Sequence, residues 1–265
     1  MKIHHLNCGS VRRIEATYEG LPAAHAVNHC LLVETDRDGL VLVETGLGLA
    51  DVRDPESTLG ADWVRMAQPV LDEDETAVRQ LARLGFAPED VRHVLVTHLD
   101  VDHCGGLPDF PDAHVHVLAA ELDAALAHAP SFRYRPAHWA HTPQWVTYPT
   151  EPDTEWFGFG SLKARGLPDE FRLVPLGGHT AGHTGVAVHD GDRWLLHCGD
   201  AYYYHRELDP DPHPHPVLDV VQTSSEVHRD LRLDTQSRLR ALVRDHGDEV
   251  TLISAHDPWE FARHA

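Results

Sequence analysis

Between positions 98 and 103 the chain reads His98-Leu99-Asp100-Val101-Asp102-His103, four nitrogen or oxygen donors within six residues. Imidazole and carboxylate at that density suit a divalent cation, although a polar loop after a strand can use the same residue types. Three later segments weigh for the cation. Leu173-Val174-Pro175-Leu176 leads into Gly177-Gly178-His179-Thr180-Ala181-Gly182-His183, Trp194-Leu195-Leu196-His197-Cys198 into Gly199-Asp200, and Val250-Thr251-Leu252-Ile253 into Ser254-Ala255-His256. Each time an apolar run delivers a histidine or aspartate to its C-terminal end. Loops carried on a rigid sheet are where catalytic groups gather.

The elements that must hold these residues can be read from the same chain. Val94-Leu95-Val96 precedes the first cluster as a short strand. If the backbone stays extended past Thr97, then His98, Asp100 and Asp102 point the same way, since side chains alternate along a strand. Gly105-Gly106 lets the chain turn sharply, so that His103 projects differently. Further strands are predicted over 28–34, 40–44, 91–97, 171–176, 185–189, 194–198 and 250–253, with Asp38-Gly39 as a hairpin turn between the first two. Helices are predicted over 72–84, with Ala77, Val78, Leu81 and Leu84 on one face, over 119–129, ended by Pro130, and between 224 and 246. Strands in both halves with helices interspersed imply two sheets covered by helices. Residues 131–166 carry Phe132, Tyr134, Trp139, Trp145, Tyr148, Trp156, Phe157 and Phe159 with weak periodicity. This stretch is expected to be an aromatic-rich insertion forming a lid or pocket wall over the cation site.

The 265 residues suit one domain over 1–265. No apolar run reaches the length of a membrane-spanning helix, and no apolar stretch after Met1 resembles a secretory signal, so the expected location is cytoplasmic, away from membranes. With 42 acidic against 22 basic side chains the formal charge is −20, which repels phosphate backbones and argues against a nucleic-acid partner. A small-molecule substrate is the expected partner, with a homodimer left open. Cys8, Cys30, Cys104 and Cys198 lie far apart and read as buried thiols. Most of the 23 histidines must be incidental; His114 and His116 read as ordinary strand residues, and His213 and His215, among prolines, as an extended surface loop.

The motifs together resemble the metallo-β-lactamase superfamily, including glyoxalase II-like and lactonase-like hydrolases, from the hairpin near Asn28 to His256. The family's H-x-H-x-D-H motif aligns with 98–103, its G-H-T-x-G-H motif with 178–183, its bridging aspartate with Asp200 and its last histidine with His256. The resemblance implies a four-layer αββα sandwich of α/β class. It implies two divalent metals, one on His98, Asp100 and His183, the other on Asp102, His103 and His256, with Asp200 shared. His179 is expected to be structural. Zinc is the expected metal. Asp100, standing where the family has a histidine, hardens the site and opens it to iron or manganese. Glu44, where the family commonly has aspartate, is expected to orient a ligand imidazole. The implied activity is hydrolysis of a carboxylic ester or lactone by a metal-bridging hydroxide, with Asp102 aiming the nucleophile and passing a proton and Tyr203 holding the carbonyl oxygen. A diiron oxidoreductase and a thioester hydrolase are the alternatives.

Overall fold

A computed structural model describes residues 1–15 and 21–265. Twelve strands form two six-stranded sheets, and in each sheet the strand order follows the chain. The first comprises β1 (Lys2–Asn7), β2 (His29–Glu34), β3 (Leu40–Val43), β4 (Val91–Leu95), β5 (His114–Leu118) and β6 (Gln144–Tyr148). The second comprises β7 (Thr154–Trp156), β8 (Phe159–Lys163), β9 (Phe171–Pro175), β10 (Thr184–His189), β11 (Trp194–His197) and β12 (Val250–Ile253). A short ribbon, Arg13–Ile14 with Ala24–His25, stands apart.

Alternation along the strands sorts the core into layers. In β2 and β3, Leu31, Val33, Val41 and Val43 face the second sheet and meet Phe171, Leu173, Val186 and Val188. Leu32 and Leu42 point the other way. They pack with Ala77 and Leu81 of α3 (Ala77–Arg83) and with Leu122 and Ala125 of α5 (Ala119–His128). On the far side, Val174, Ala187, Leu196 and Leu252 pack against Leu239 and Leu242 of α7 (Arg229–His246). Every residue of β3 is buried, as a strand covered on both faces requires. The result is the expected helix–sheet–sheet–helix sandwich. The other helices are α1 (Leu49–Arg53), α2 (Ala61–Ala67), α4 (Val101–Cys104), α6 (Pro216–Ser225) and α8 (Pro258–Phe261). Among the described residues no helix is long and apolar enough to cross a membrane.

Three expectations change. The chain does not stay extended past Thr97: Asp100 caps the single turn of α4, and the His103 N–H donates to the Asp100 carbonyl at 3.0 Å. Residues 131–166 contain β6, β7 and β8, so this stretch crosses from one sheet to the other and gives each an edge. Its Trp139 and Trp145 pack against the core of the first sheet. His215 is buried: its Nδ1 accepts from the Val217 N–H and its Nε2 bonds the Glu15 carbonyl at 2.7 Å.

Candidate metal centre

The loops after β4, β9, β11 and β12 meet at one end of the sandwich. Glu121, buried in the first turn of α5, joins two of them. Its Oε1 accepts from the Leu99 N–H at 3.0 Å and from the Tyr134 hydroxyl, and its Oε2 from the Thr180 hydroxyl at 2.6 Å and the Gly182 N–H at 3.1 Å. A Cβ on Gly182 would lie 2.3 Å from the Glu121 nitrogen, so only glycine permits this approach. Nothing in sequence spacing marks Glu121, because its partners lie 13 to 61 residues away.

Asp200 stands at the middle, and its two oxygens face different groups. Oδ1 lies 3.2 Å from His103 Nε2 and 3.1 Å from His256 Nε2, with Asp102 Oδ2 3.8 Å from the same His256 nitrogen. Oδ2 lies 3.3 Å from His179 Nε2 and 3.9 Å from His98 Nε2. Asp100 Oδ2 completes this second group, 3.4 Å from His98 Nε2 and 3.2 Å from His179 Nε2. Donors about 2.0–2.1 Å from one ion in a tetrahedron stand about 3.3 Å from each other, so these spacings fit a cation.

The polar atoms left over agree with that fit. His98 Nε2, His103 Nε2 and Asp200 Oδ1 are buried without a hydrogen-bond partner, a costly arrangement unless something else binds them. The opposite ring nitrogens are held. His98 Nδ1 meets the Thr97 hydroxyl at 2.8 Å, His103 Nδ1 the Glu44 carboxylate at 2.5 Å, and His256 Nδ1 the Val27 carbonyl at 2.9 Å. Such contacts fix the ring orientation and leave Nε2 free for an ion. Glu44 therefore orients an imidazole as expected, and it also accepts from the Thr97 N–H.

Charge in the site follows its neighbours. For His103, burial opposes protonation, but the Asp200 and Glu44 carboxylates outweigh it and hold the pKa well above the ordinary value. For Asp200, burial is likewise outweighed, by His256 and His103 first, and its pKa lies well below the carboxylate range. Burial pushes Asp102 up despite His103 and His256.

Of the residues expected from the sequence, His98, Asp100, Asp102, His103, Asp200 and His256 come together. His183 does not. Its Nδ1 bonds the Leu176 carbonyl at 2.7 Å and its Nε2 accepts the Asp200 N–H at 3.0 Å, which uses both nitrogens. Gly199, at φ +52°, lets Asp200 turn in over this ring; a Cβ there would stand 2.7 Å from His183 Nε2. His179, expected to be structural, turns its Nε2 toward the carboxylates of Asp100 and Asp200. Cys104 and Cys198 are buried packing thiols, Cys104 Sγ lying 3.3 Å from the Leu99 carbonyl. Arg133, which no motif marked, donates from Nη1 to Asp100 Oδ1 at 2.9 Å and Oδ2 at 2.7 Å.

The Tyr203 hydroxyl donates to Asp200 Oδ2. Beside it opens a pocket whose floor is Asp100, Asp102, Asp200 and His256, and whose walls include Val11, Ile14, Trp63, Phe132, Leu218 and Val221.

Known proteins share both sequence and shape with this chain. The metallo-beta-lactamase superfamily profile matches residues 26–251. A probable metallo-hydrolase of Mycobacterium tuberculosis is 42% identical over 264 residues, covering 97% of this chain and 81% of the relative. An N-acyl homoserine lactonase of Bacillus cereus is 32% identical over 96 residues, 36% of this chain and 38% of the relative. Among solved structures, Bacillus thuringiensis AiiA with bound N-decanoyl-L-homoserine superposes with a TM-score of 0.72 at 20% identity, covering 98% of this chain and 95% of that one. A profile match across most of the length, together with a relative at 42% identity over nearly all of it, leaves one conclusion: the chain belongs to the metallo-beta-lactamase superfamily.

Proposed function

We propose that this protein is a two-metal hydrolase of carboxylic esters or lactones whose acyl or alkyl part is apolar. The observation that carries the reading is the pair of donor groups on either side of one carboxylate, at the floor of an apolar pocket. His98, Asp100 and His179 would hold one divalent ion and Asp102, His103 and His256 the other, with Asp200 between them. The chemistry such a pair supplies is Lewis acidity toward the scissile carbonyl and a hydroxide nucleophile at neutral pH. The lactonase relative from Bacillus cereus, and the AiiA structure with N-decanoyl-L-homoserine bound, support the substrate class.

The chain's own groups do the rest. Val11, Ile14, Trp63 and Leu218 take the apolar part of the substrate and exclude water around the reacting ester. Asp102 keeps 16% of its side chain exposed toward that pocket. Its carboxylate accepts the proton of the attacking water and returns it to the leaving oxygen. Tyr203, whose hydroxyl donates to Asp200 Oδ2, would turn it to the substrate carbonyl oxygen. The diiron oxidoreductase alternative draws on the negative charge of Asp100, and Arg133 offsets that charge.

Asp102→Asn keeps size and an oxygen donor but removes the proton acceptor. It is expected to lower kcat on a small ester or lactone by roughly 10²-fold or more while metal content stays near that of the parent. Full metal occupancy with no turnover of any ester, lactone or thioester, but with oxygen reduction by an electron donor, would replace this reading with the oxidoreductase.

A further inference from the structure

Asp100 departs from the family's histidine, and a buried carboxylate in place of a neutral imidazole adds a full negative charge. Arg133 meets that charge. A single nitrogen, Nη1, bridges both Asp100 oxygens at 2.9 and 2.7 Å, while Nη2 donates to the Ser225 carbonyl at the end of α6. The guanidinium is mostly buried, with 18% of the side chain exposed. The residues around it fix its place: the Ser131 N–H donates to the Tyr134 carbonyl at 2.8 Å, and the Tyr134 hydroxyl to Glu121. Asp100 Oδ2 is thereby held toward His98 Nε2 and His179 Nε2.

We propose that Asp100 and Arg133 act as one unit equivalent to a neutral ligand, with Arg133 the positioning residue that makes a carboxylate serviceable at this place. The proposal rests on the ligand assignment above. Arginine is required by geometry as well as charge: one arm binds the carboxylate and the other a backbone carbonyl on a different element, a fork that lysine cannot reproduce. The opposing possibility is also concrete. Nη1 lies 3.1 Å from His179 Nε2, so the guanidinium could instead compete with an ion for that nitrogen.

A double-substitution cycle separates the two. Metal stoichiometry and zinc affinity are measured by elemental analysis and chelator competition on Arg133→Met, Asp100→His and the double variant, with melting temperatures in EDTA alongside. Arg133→Met should weaken binding of one metal equivalent by roughly 10- to 100-fold, the usual effect of removing a ligand's supporting contact. Asp100→His alone should also weaken it, because a guanidinium is then buried beside the ions without a counter-charge. The double variant should recover most of both losses, and its melting temperature in EDTA should exceed that of either single variant. Arg133→Lys should fall between parent and Arg133→Met.

Unchanged or increased metal content in Arg133→Met, or losses that simply add in the double variant, would overturn the unit. Failure of the ligand assignment reads differently. The parent would then hold fewer than two metals, or His179→Ala would keep both, whereas the melting temperatures in EDTA still report whether Asp100 and Arg133 are coupled.

Discussion

At the residue scale, legibility in the sequence depends on which nitrogen of a ring is free. The motif 178–183 offers two histidines four positions apart, and the resemblance to the family assigns the second, His183, to the metal. The proposed exchange to His179 rests on the hydrogen bonds of the two rings. His183 is consumed by the Leu176 carbonyl and the Asp200 N–H, whereas His179 Nε2 faces two carboxylates. The consequence can be measured on folded variants. His179→Ala should lose about one metal equivalent per chain with a modest change in melting temperature. His183→Ala should keep its metals better but melt several degrees lower, since a buried N–H and a buried carbonyl are left unpaired at roughly 1–3 kcal/mol each. Elemental analysis and thermal denaturation decide it, and the reverse pattern would restore His183 as the ligand. Arg133 was invisible for another reason: an arginine in an aromatic, proline-rich stretch has no spacing that ties it to Asp100, 33 positions earlier.

At the element scale, most strands stand within two residues of where alternation and turn chemistry place them, and the Asp38-Gly39 hairpin joins β2 to β3 in register. Several elements escaped, among them β1, α1, α2 and α8, and two places bear on the site. The single turn of α4 is too short to show a helical period, yet it turns Asp102 and His103 onto the cluster. The stretch 131–166 hides its strands because β6 is an edge strand, half exposed, and its aromatic residues are divided between two sheets. Its tryptophans therefore serve packing. Trp139→Ala and Trp145→Ala should each cost stability, roughly 1–3 kcal/mol for a partly buried large side chain, and leave KM on a lactone or ester panel unchanged. Phe132, which lines the pocket, should behave oppositely: Phe132→Ala should raise KM for substrates with long apolar chains more than for short ones. A tryptophan variant with a normal melting temperature and a raised KM would return that residue to the pocket wall.

At the scale of the whole molecule, the abundance of histidine has a cost that appears in acid. Among the described residues many imidazoles are buried and neutral. Burial takes His5 from 6.5 to about 4, with His264, His197 and His4 adding to it, and takes His116 to about 3, with His93 and His114 adding to it. His29, His93, His197 and His264 are also lowered, burial again coming first. A base whose folded pKa is depressed contributes stability that is fully present above its unfolded value near 6.5. That stability is lost as pH falls through the folded value, because the unfolded chain binds the protons first. Four buried carboxylates outside the metal cluster act in the opposite sense. Burial raises Glu260 to about 8 and Asp109 to about 6, and raises Glu121 and Glu207 as well, so the folded state holds protons there that the unfolded state releases, and stability grows as pH falls. With His141, also lowered by burial, seven imidazoles outside the metal cluster stand against these four carboxylates and leave the balance with histidine. The melting temperature should therefore hold between pH 7 and 8 and fall steeply from about pH 6.5 toward 4. The same decline should persist in EDTA, which separates it from protonation of metal ligands. His116→Gln keeps polar contacts to Tyr148 and His93 but cannot take up the proton, so its decline should be shallower by about 1.4 kcal/mol per pH unit between these limits. A melting temperature that stays level down to pH 5 in EDTA would mean that these imidazoles are solvated enough to charge inside the fold.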